Sequence, residues 1–392
     1  MREAYIVTSV RTPGCRRGKG AFKDTRPEEL LSFILKSAVE RTPGLDAKDV
    51  DDVMIGCSFP EAEQGLNIGR IANQIAGFPI EVGGATVNRF CASGLEGIAQ
   101  SAMRVMSGWS DITIGGGVES MTFVPMGGNF PRPDGDFTDK QPDLYASMGV
   151  TAENVATRYK VSREEQDEFA YNSQMKAVKA QQEKLYTEIV PTPAAKFVKQ
   201  ADGTFKKEFF IQDFDDGVRA TTTKEGLAKL RPVFSFTGSV TAGNSSQTTD
   251  GAAASVIMSE NKVKELGIKP IAKVKCYTTV GCRPDEMGVG PKYAIPKLLK
   301  LAGLNVNDIG LWEINEAFAS QAIYCVRELG INMENVNVYG GAIALGHPLG
   351  CTGAKLCAQL VTRMKERGVK YGVESMCIGG GMGAAALFEL CE

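Results

Sequence analysis

A single histidine, His347, stands in a chain of 392 residues. One imidazole excludes a metal site built on paired histidines and any mechanism that needs two. The ten cysteines fall well short of a disulfide scaffold, and no two are spaced Cys-x-x-Cys. Zinc-ribbon and thioredoxin-like readings lose their main support. The default for such a chain is a reducing compartment, here the cytoplasm, with most thiols acting as small buried hydrophobes. Lys and Arg number 44 against 46 Asp and Glu, a net charge of -2. No global field recruits nucleic acid or an anionic membrane, although a local basic patch for a phosphorylated ligand stays open. No uninterrupted apolar run reaches about 18 residues, so no membrane span is expected. The opening Met1-Arg2-Glu3-Ala4-Tyr5-Ile6-Val7 turns polar at Thr8 and reads as a strand rather than a signal peptide. The closing Glu389-Leu390-Cys391-Glu392 matches no common retention or lipidation signal.

What is present is a repeat. Gly44-Leu45-Asp46-Ala47-Lys48-Asp49-Val50 returns as Gly303-Leu304-Asn305-Val306-Asn307-Asp308-Ile309, an offset of 259. Ser93-Gly94, Ala99-Gln100 and Arg104 return at the same offset as Thr352-Gly353, Ala358-Gln359 and Arg363. Gly251-Ala252-Ala253-Ala254 returns as Gly383-Ala384-Ala385-Ala386 at an offset of 132, as expected if the first copy carries an insertion before its last strand. The chain therefore reads as a first half, 1–121 plus 248–270, an insertion, 122–247, and a second half, 271–392. The insertion holds Pro131, Pro133, Pro142 and a polar stretch near Lys196–Lys207, and reads largely as loop. Its exception is a helix expected over Ser162–Lys184, opened by the Ser162/Glu165 capping pattern.

Strands are expected at Tyr5–Val10, Val53–Cys57 and Asp111–Gly115, and helices at Glu28–Arg41 and Ala92–Ser107. In the latter helix, Leu95, Ile98, Ala99, Ala102, Met103 and Met106 follow the spacing of one buried face, and Cys357, Leu360, Val361 and Met364 repeat it in the second half. The alternation predicts mostly parallel sheets covered by helices. It gives two similar α/β halves packed together, with a site between them where matching loops diverge.

The copies differ most at one place: Cys91 falls opposite Gly350, and Asn88 opposite His347. Cys91 lies at the entry to the helix beginning near Ala92, where free N–H groups favour a thiolate and could bind an oxyanion. A thiol that only packs fits the same position. His347, among Gly340, Gly341, Gly346 and Gly350, is a natural base near neutral pH; a loop imidazole bonded to backbone is the alternative. Cys377 precedes Gly379-Gly380-Gly381, which suggests a tight turn exposing the thiol and a backbone amide. No Walker lysine follows, so a phosphate loop is weakly supported. Asn315, after the apolar stretch Ile309–Ile314, reads most simply as a helix cap.

Taken together, these segments resemble the thiolase family over essentially the whole chain, from Arg11-Thr12-Pro13 to the final Gly-rich segment. The resemblance is carried by Val87-Asn88-x-x-Cys91-x-Ser93-Gly94, Asn315-Glu316-Ala317-Phe318-Ala319, Gly340–Pro348 and Cys377-Ile378-Gly379-Gly380-Gly381. It implies a thiolase-like α/β fold, two layered halves in α-β-α-β-α order with an inserted loop domain. It implies Cys91 as the nucleophile that becomes a thioester, and His347 as its activator. Asn315 would hold a water, Cys377 would move the α-carbon proton, and the N–H groups of Cys91 and Gly379 would form an oxyanion hole. Coenzyme A, a substrate and not a bound cofactor, would lie against the insertion near Arg219, Phe234 and Ser246. Ala317, Phe318, Ser147 and Met148 would line the acyl site. No metal is implied, and the partners are acyl-CoA and CoA, with a homodimer or homotetramer expected. Ser147 stands where short-chain biosynthetic thiolases carry histidine. Together with Gly350-Cys351-Thr352-Gly353 it favours the degradative, β-oxidation branch, a 3-ketoacyl-CoA thiolase, over an acetoacetyl-CoA enzyme or a non-catalytic lipid-binding relative. A ketoacyl synthase, which shares the fold, normally needs a second histidine or asparagine and one cysteine.

Overall fold

The computed structural model describes residues 2–391; Met1 and Glu392, the ends of the opening and closing stretches noted above, lie outside the described residues. The strands are β1 (Ala4–Arg11), β2 (Cys15–Arg16), β3 (Asp52–Gly56), β4 (Ala85–Val87), β5 (Ile112–Ser120), β6 (Thr192–Lys199), β7 (Phe205–Gln212), β8 (Thr249–Ser259), β9 (Ala272–Gly281), β10 (Leu311–Ile314), β11 (Tyr371–Ile378) and β12 (Met382–Leu390). The helices are α1 (Pro27–Glu40), α2 (Ile68–Ile75), α3 (Ser93–Ser107), α4 (Gly135–Lys140), α5 (Met148–Arg158), α6 (Arg163–Gln182), α7 (Lys224–Ala228), α8 (Glu260–Glu265), α9 (Gly290–Ala302), α10 (Ala319–Glu328), α11 (Ala342–Leu345) and α12 (Thr352–Arg367).

The main sheet runs β10-β11-β12-β9-β1-β8-β5-β3-β4, with β2 on β8. Read outward from the β1/β9 junction, both sides give the same succession: β8, β5, β3 on one and β12, β11, β10 on the other. The repeat is therefore a structural one. Its short helical turns Ala47–Asp49 and Val306–Asp308 also match, each closed by a reciprocal cap, Asp46 with Asp49 and Asn305 with Asp308. Helices α3 and α12 pack on each other between the half-sheets, with α1 outside the first and α9 outside the second. This is the five-layer α-β-α-β-α order.

Strand direction departs from expectation. Only β3/β4, β3/β5 and β10/β11 pair parallel, whereas β5/β8, β1/β8, β1/β9, β9/β12 and β11/β12 are antiparallel. The last strand of each half, β8 or β12, enters the middle of its half-sheet against its neighbours. Alternation of strand and helix along the chain does not reveal that insertion. The stretch near Lys196–Lys207 is also not loop: β6 and β7 form an antiparallel hairpin apart from the main sheet. Phe197, Phe205, Phe209 and Ile211 supply its β-forming side chains among the lysines.

In α3, Leu95, Ile98, Ala99 and Ala102 are buried as their spacing requires, but Met103 is half exposed, at 51%. Burial of a large apolar side chain on this face contributes roughly 1.5–3 kcal/mol. Cys357, Leu360, Val361 and Met364 of α12 are all buried. Helix α6 begins at Arg163 with Ser162 as its cap: the Glu165 N–H donates to Ser162 Oγ, and the Ser162 N–H donates to the Glu165 carboxylate. The halves meet where the turn Phe90–Ala92 packs on the turn Leu349–Cys351. Among the described residues no helix is long and apolar enough to cross a membrane.

Candidate functional site

Cys91 sits in the turn Phe90–Ala92, directly before α3, and is 1% exposed. Phe90 takes φ of 44°, a left-handed backbone that presents Cys91 at the mouth of the helix. Ser58 Oγ donates to the Phe90 carbonyl at 2.9 Å, and Ser93 Oγ donates to it at 2.7 Å. The thiol lies among Met121, Leu349 and Phe59. Burial pushes it up to about 11, against the opposing pull of the N–H groups of Gly379 and of Cys91 itself. Of the two readings left open at this position, burial favours the thiol: desolvation outweighs the pull of the helix end.

His347 lies in the bend between α11 and the turn Leu349–Cys351 and is 5% exposed. Its Nδ1 is 2.5 Å from Thr352 Oγ1, and its Nε2 is 3.3 Å from Asn315 Nδ2. Its backbone N–H donates to the Gln247 carbonyl at 2.9 Å. Lys355, one turn into α12, donates from Nζ to the carbonyls of Leu345 and Gly346, the two residues before His347, at 2.9 and 2.7 Å. Burial, with a smaller contribution from Lys355, pushes the imidazole down to about 3, so it rests neutral.

Cys377 is the second-last residue of β11, paired with Gly383 of β12, and is fully buried. The expectation of an exposed thiol is corrected: the turn exposes Gly380 and part of Gly379, while Cys377 points into a cluster with Met148, Ala152, Met287, Ala317 and Phe318. Gly380 and Gly381 have φ of 81° and 84°, so this turn requires glycine. Burial raises the Cys377 thiol well above its ordinary value, and Cys91 is the first of the neighbouring thiols that raise it further.

Asn315 is not a helix cap: α10 begins at Ala319, four residues on, and the Asn315 amide meets His347 instead. Its Oδ1 is buried without a partner. Glu316 accepts from Ser173 Oγ, the Ile343 N–H and Asn337 Nδ2 at 2.7, 3.1 and 2.9 Å, tying the His347 loop to α6. Glu119, at the end of β5, accepts from the Ser58 and Gly350 N–H groups at 2.8 and 2.7 Å, and so joins the Cys91 turn to the His347 loop.

A cavity of about 150 Å³ is lined by Ser147, Met148, Phe234, Ser246, Phe318 and His347, with Ala317 beside them. Ser147 caps α5, its Oγ accepting from the Val150 N–H at 3.4 Å. Phe234 lies edge-on to Phe318 and so close to Gly149 that no side chain fits there. Ser246 N–H donates to the Ala317 carbonyl at 2.9 Å. Phe234, Ser245, Ser246, Gln247 and Thr248 also line a second, open cavity of about 360 Å³, walled by Arg16, Arg17, Lys19 and Arg219. The two form one path from a basic mouth to His347. Among the described residues no group of three or more His, Cys, Asp or Glu side chains is placed to hold a metal ion.

At the inner end of the path His347 meets Asn315, and Met121 and Leu349 of the cavity wall pack on Cys91, beside which lie the Gly379 N–H and Cys377. Ser147, Met148, Ala317, Phe318, Phe234, Ser246 and Arg219 follow along its walls. The sequence reading missed Glu119, Thr352, Lys355 and the basic run Arg16-Arg17-Gly18-Lys19. The repeat held a signal for two of them: Thr352 and Lys355 fall opposite Ser93 and Glu96.

Comparison with known proteins bears on the whole chain. The thiolase N-terminal domain profile matches residues 4–261 and the thiolase C-terminal domain profile residues 268–390. A 3-ketoacyl-CoA thiolase of Bacillus subtilis is 51% identical over 392 residues, 100% of both chains. A peroxisomal 3-ketoacyl-CoA thiolase of Homo sapiens is 46% identical, with 99% of this chain and 91% of the relative covered. Among solved structures, an acetyl-CoA acetyltransferase of Bacillus anthracis superposes with a TM-score of 0.90 at 38% identity, covering 100% and 99% of the two chains. The dimeric peroxisomal thiolase of Saccharomyces cerevisiae gives 0.89 at 39% identity, covering 99% and 97%.

Proposed function

The chain belongs to the thiolase family, and from that premise we propose that it is a 3-ketoacyl-CoA thiolase, an acetyl-CoA C-acyltransferase acting through a thioester on Cys91. The observation that carries the reading is the convergence of Cys91, His347, Cys377 and the Gly379 N–H at the end of a path with a basic mouth.

In the cleavage direction His347 Nε2 takes the Cys91 proton as Sγ attacks C3 of the 3-ketoacyl-CoA. The N–H groups of Cys91 and Gly379 receive the negative charge on a thioester oxygen in the acyl-transfer step. When the C2–C3 bond breaks, its electron pair remains on C2. Cys377 protonates that carbon to give acetyl-CoA. The proton that His347 took then passes to Cys377, which restores that thiol and leaves the imidazole neutral. The acyl group stays on Cys91 until the thiol of a second CoA, deprotonated by His347, displaces it as a shortened acyl-CoA, and the leaving Cys91 sulfur takes that proton back from His347. Condensation is the same sequence reversed. Water is kept from the thioester by burial: Cys91 is 1% exposed. Arg16, Arg17, Lys19 and Arg219 supply the positive charge that CoA phosphates need.

An acetoacetyl-CoA enzyme has support in the likeness to the acetyl-CoA acetyltransferase. Ser147 in the cavity wall and the names of the relatives above 45% identity favour the broader 3-ketoacyl-CoA range. The dimeric yeast relative supports a homodimer, and the bacterial relative a cytoplasmic enzyme. The deciding experiment is CoA-dependent cleavage of a chain-length series of 3-ketoacyl-CoAs. Absence of cleavage at every length sinks the reading.

A further inference from the structure

Neutral imidazole carries its proton on one of two nitrogens, and only the other can act as a base. In this chain the choice is made by the start of α12. Thr352 Oγ1 lies 3.0 Å from the Pro348 carbonyl and 2.5 Å from His347 Nδ1. A hydroxyl has one proton. The Pro348 carbonyl accepts the Cys351 N–H at 2.8 Å and accepts the Thr352 hydroxyl as well; on the other side of the ring Asn315 Nδ2 can only donate, so Nε2 is the accepting nitrogen and Oγ1 accepts from Nδ1–H. Nε2 then keeps its lone pair, on the side of Asn315.

The opposite tautomer has a ready partner. Asn315 Oδ1 is buried with nothing bonded to it. A flip of the amide would offer that oxygen to an Nε2–H and satisfy both groups, with the base lost. Something must hold the balance the other way. The repeat shows what has changed to do so. In the first half Ser93, the counterpart of Thr352, donates to the Phe90 carbonyl at 2.7 Å and accepts from the Arg89 backbone N–H at 2.8 Å. In the second half the equivalent hydroxyl keeps its bond to a carbonyl but accepts from the imidazole. The same helix-entry hydroxyl has been turned from a backbone cap into a partner for a side chain. Lys355, on the same face one turn on, clamps the carbonyls of Leu345 and Gly346 and so keeps the ring over Thr352.

We propose that Thr352 is the positioning residue that fixes His347 as the Nδ1–H tautomer and so leaves Nε2 free to act as the base. The proposal rests on the reading of His347 as the group that activates Cys91, but it can be tested apart from it. His347 is the only histidine, so a protein labelled with ¹⁵N-histidine gives a single pair of ring signals, whose shifts and couplings report the tautomer directly.

The wild type is expected to show the proton on Nδ1. Thr352→Val, which keeps the shape and removes the acceptor, is expected to move it to Nε2 and to lower kcat on the order of 10²-fold with little change in KM. Thr352→Ser is expected to keep the wild-type tautomer and most of the activity. A wild-type proton on Nε2 overturns the proposal without recourse to any variant. So does a Thr352→Val protein that loses activity yet keeps the Nδ1 proton, since Thr352 is then only a packing residue. Failure of the underlying reading looks different: His347→Ala would retain thiolysis, whatever the tautomer in the wild type.

Discussion

Cys91 and Gly350 occupy the same point of the two matched turns that lead into α3 and α12, and only one of the two positions has room for a side chain. At Gly350 a Cβ would come within 2.6 Å of the Glu119 carboxylate and of the Ser58 N–H. The Glu119 bond that joins the two turns therefore requires glycine in one half and leaves the other half free to carry the thiol. One scaffold, used twice, supplies the Cys91 thiol from one copy and the His347 imidazole from the other, the nucleophile and base of the proposed reaction.

Cys91→Ser is expected to form no stable acyl adduct and to lose at least about 10³-fold in cleavage, since oxygen at this buried site is a far weaker nucleophile than sulfur. Intact-mass measurement after incubation with acetyl-CoA checks this. A wild-type acetyl adduct on the variant would show that the thioester forms elsewhere.

Cys377→Ala separates the two thiols. It is expected to accept an acyl group at Cys91 but to lose hydrogen exchange at the acetyl methyl and to lose condensation, each by at least about 10²-fold. Deuterium exchange followed by mass spectrometry reads the first loss. Unchanged exchange rules out Cys377 as the group that moves the α-carbon proton.

Ser147 lines the inner cavity beside Met148 and Phe234, proposed above to take the acyl chain, and Ser147→His should narrow it. Each methylene that loses its apolar surroundings costs about 0.8 kcal/mol. The ratio of kcat/KM for 3-ketooctanoyl-CoA over acetoacetyl-CoA should therefore fall by about 4-fold or more. A ratio that does not move would place chain-length selection in other residues.

His347 also makes a stability prediction. Its folded value is pushed down to about 3, below the ordinary 6.5 of the unfolded chain. The unfolded state therefore binds the extra proton first. The contribution of neutral His347 is fully present above about pH 6.5 and is lost as pH falls from there toward 3. Denaturant midpoints of wild type and His347→Gln should converge with acidification, by up to about 1.4 kcal/mol per pH unit well below 6.5. A constant difference between pH 7 and 5 contradicts a buried neutral ring.

Glu313 and Glu374 face each other across the parallel β10/β11 pair, both wholly buried, and Glu374 has no hydrogen-bond partner on either oxygen. Burial raises both, Glu313 to about 8; Arg363 opposes the shift at Glu313, Glu316 and Glu188 add to it, and Glu313 raises Glu374 further. A raised folded value means that stability is present at low pH and is lost as pH rises through about 8. Glu313→Gln should lose less stability than wild type between pH 6 and 9. Parallel pH dependence in the two proteins would refute a protonated pair.

The repeat, the helices and the candidate site residues were legible in the sequence because their signals are local or self-referential. A matched offset needs no structure to be seen. An apolar stripe at helical spacing reports its own buried face, as Cys357, Leu360, Val361 and Met364 do. Cys91, His347 and Cys377 stood out through rarity, glycine-rich surroundings and the resemblance they carry. The rest was decided by contacts between residues far apart in the chain. The antiparallel entry of β8 and β12 depends on which neighbours they join. The basic mouth forms only when Arg16, Arg17 and Lys19 meet Arg219 from the insertion. Asn315 looks like a helix cap until the fold brings it to His347. Burial weighs against the thiolate at Cys91, because a helix start alone favours a thiolate and an apolar shell favours the thiol. Sequence set which chemical groups the protein has; tertiary structure set their protonation and their partners, because solvent exclusion and hydrogen-bond geometry exist only once the two halves have closed on each other.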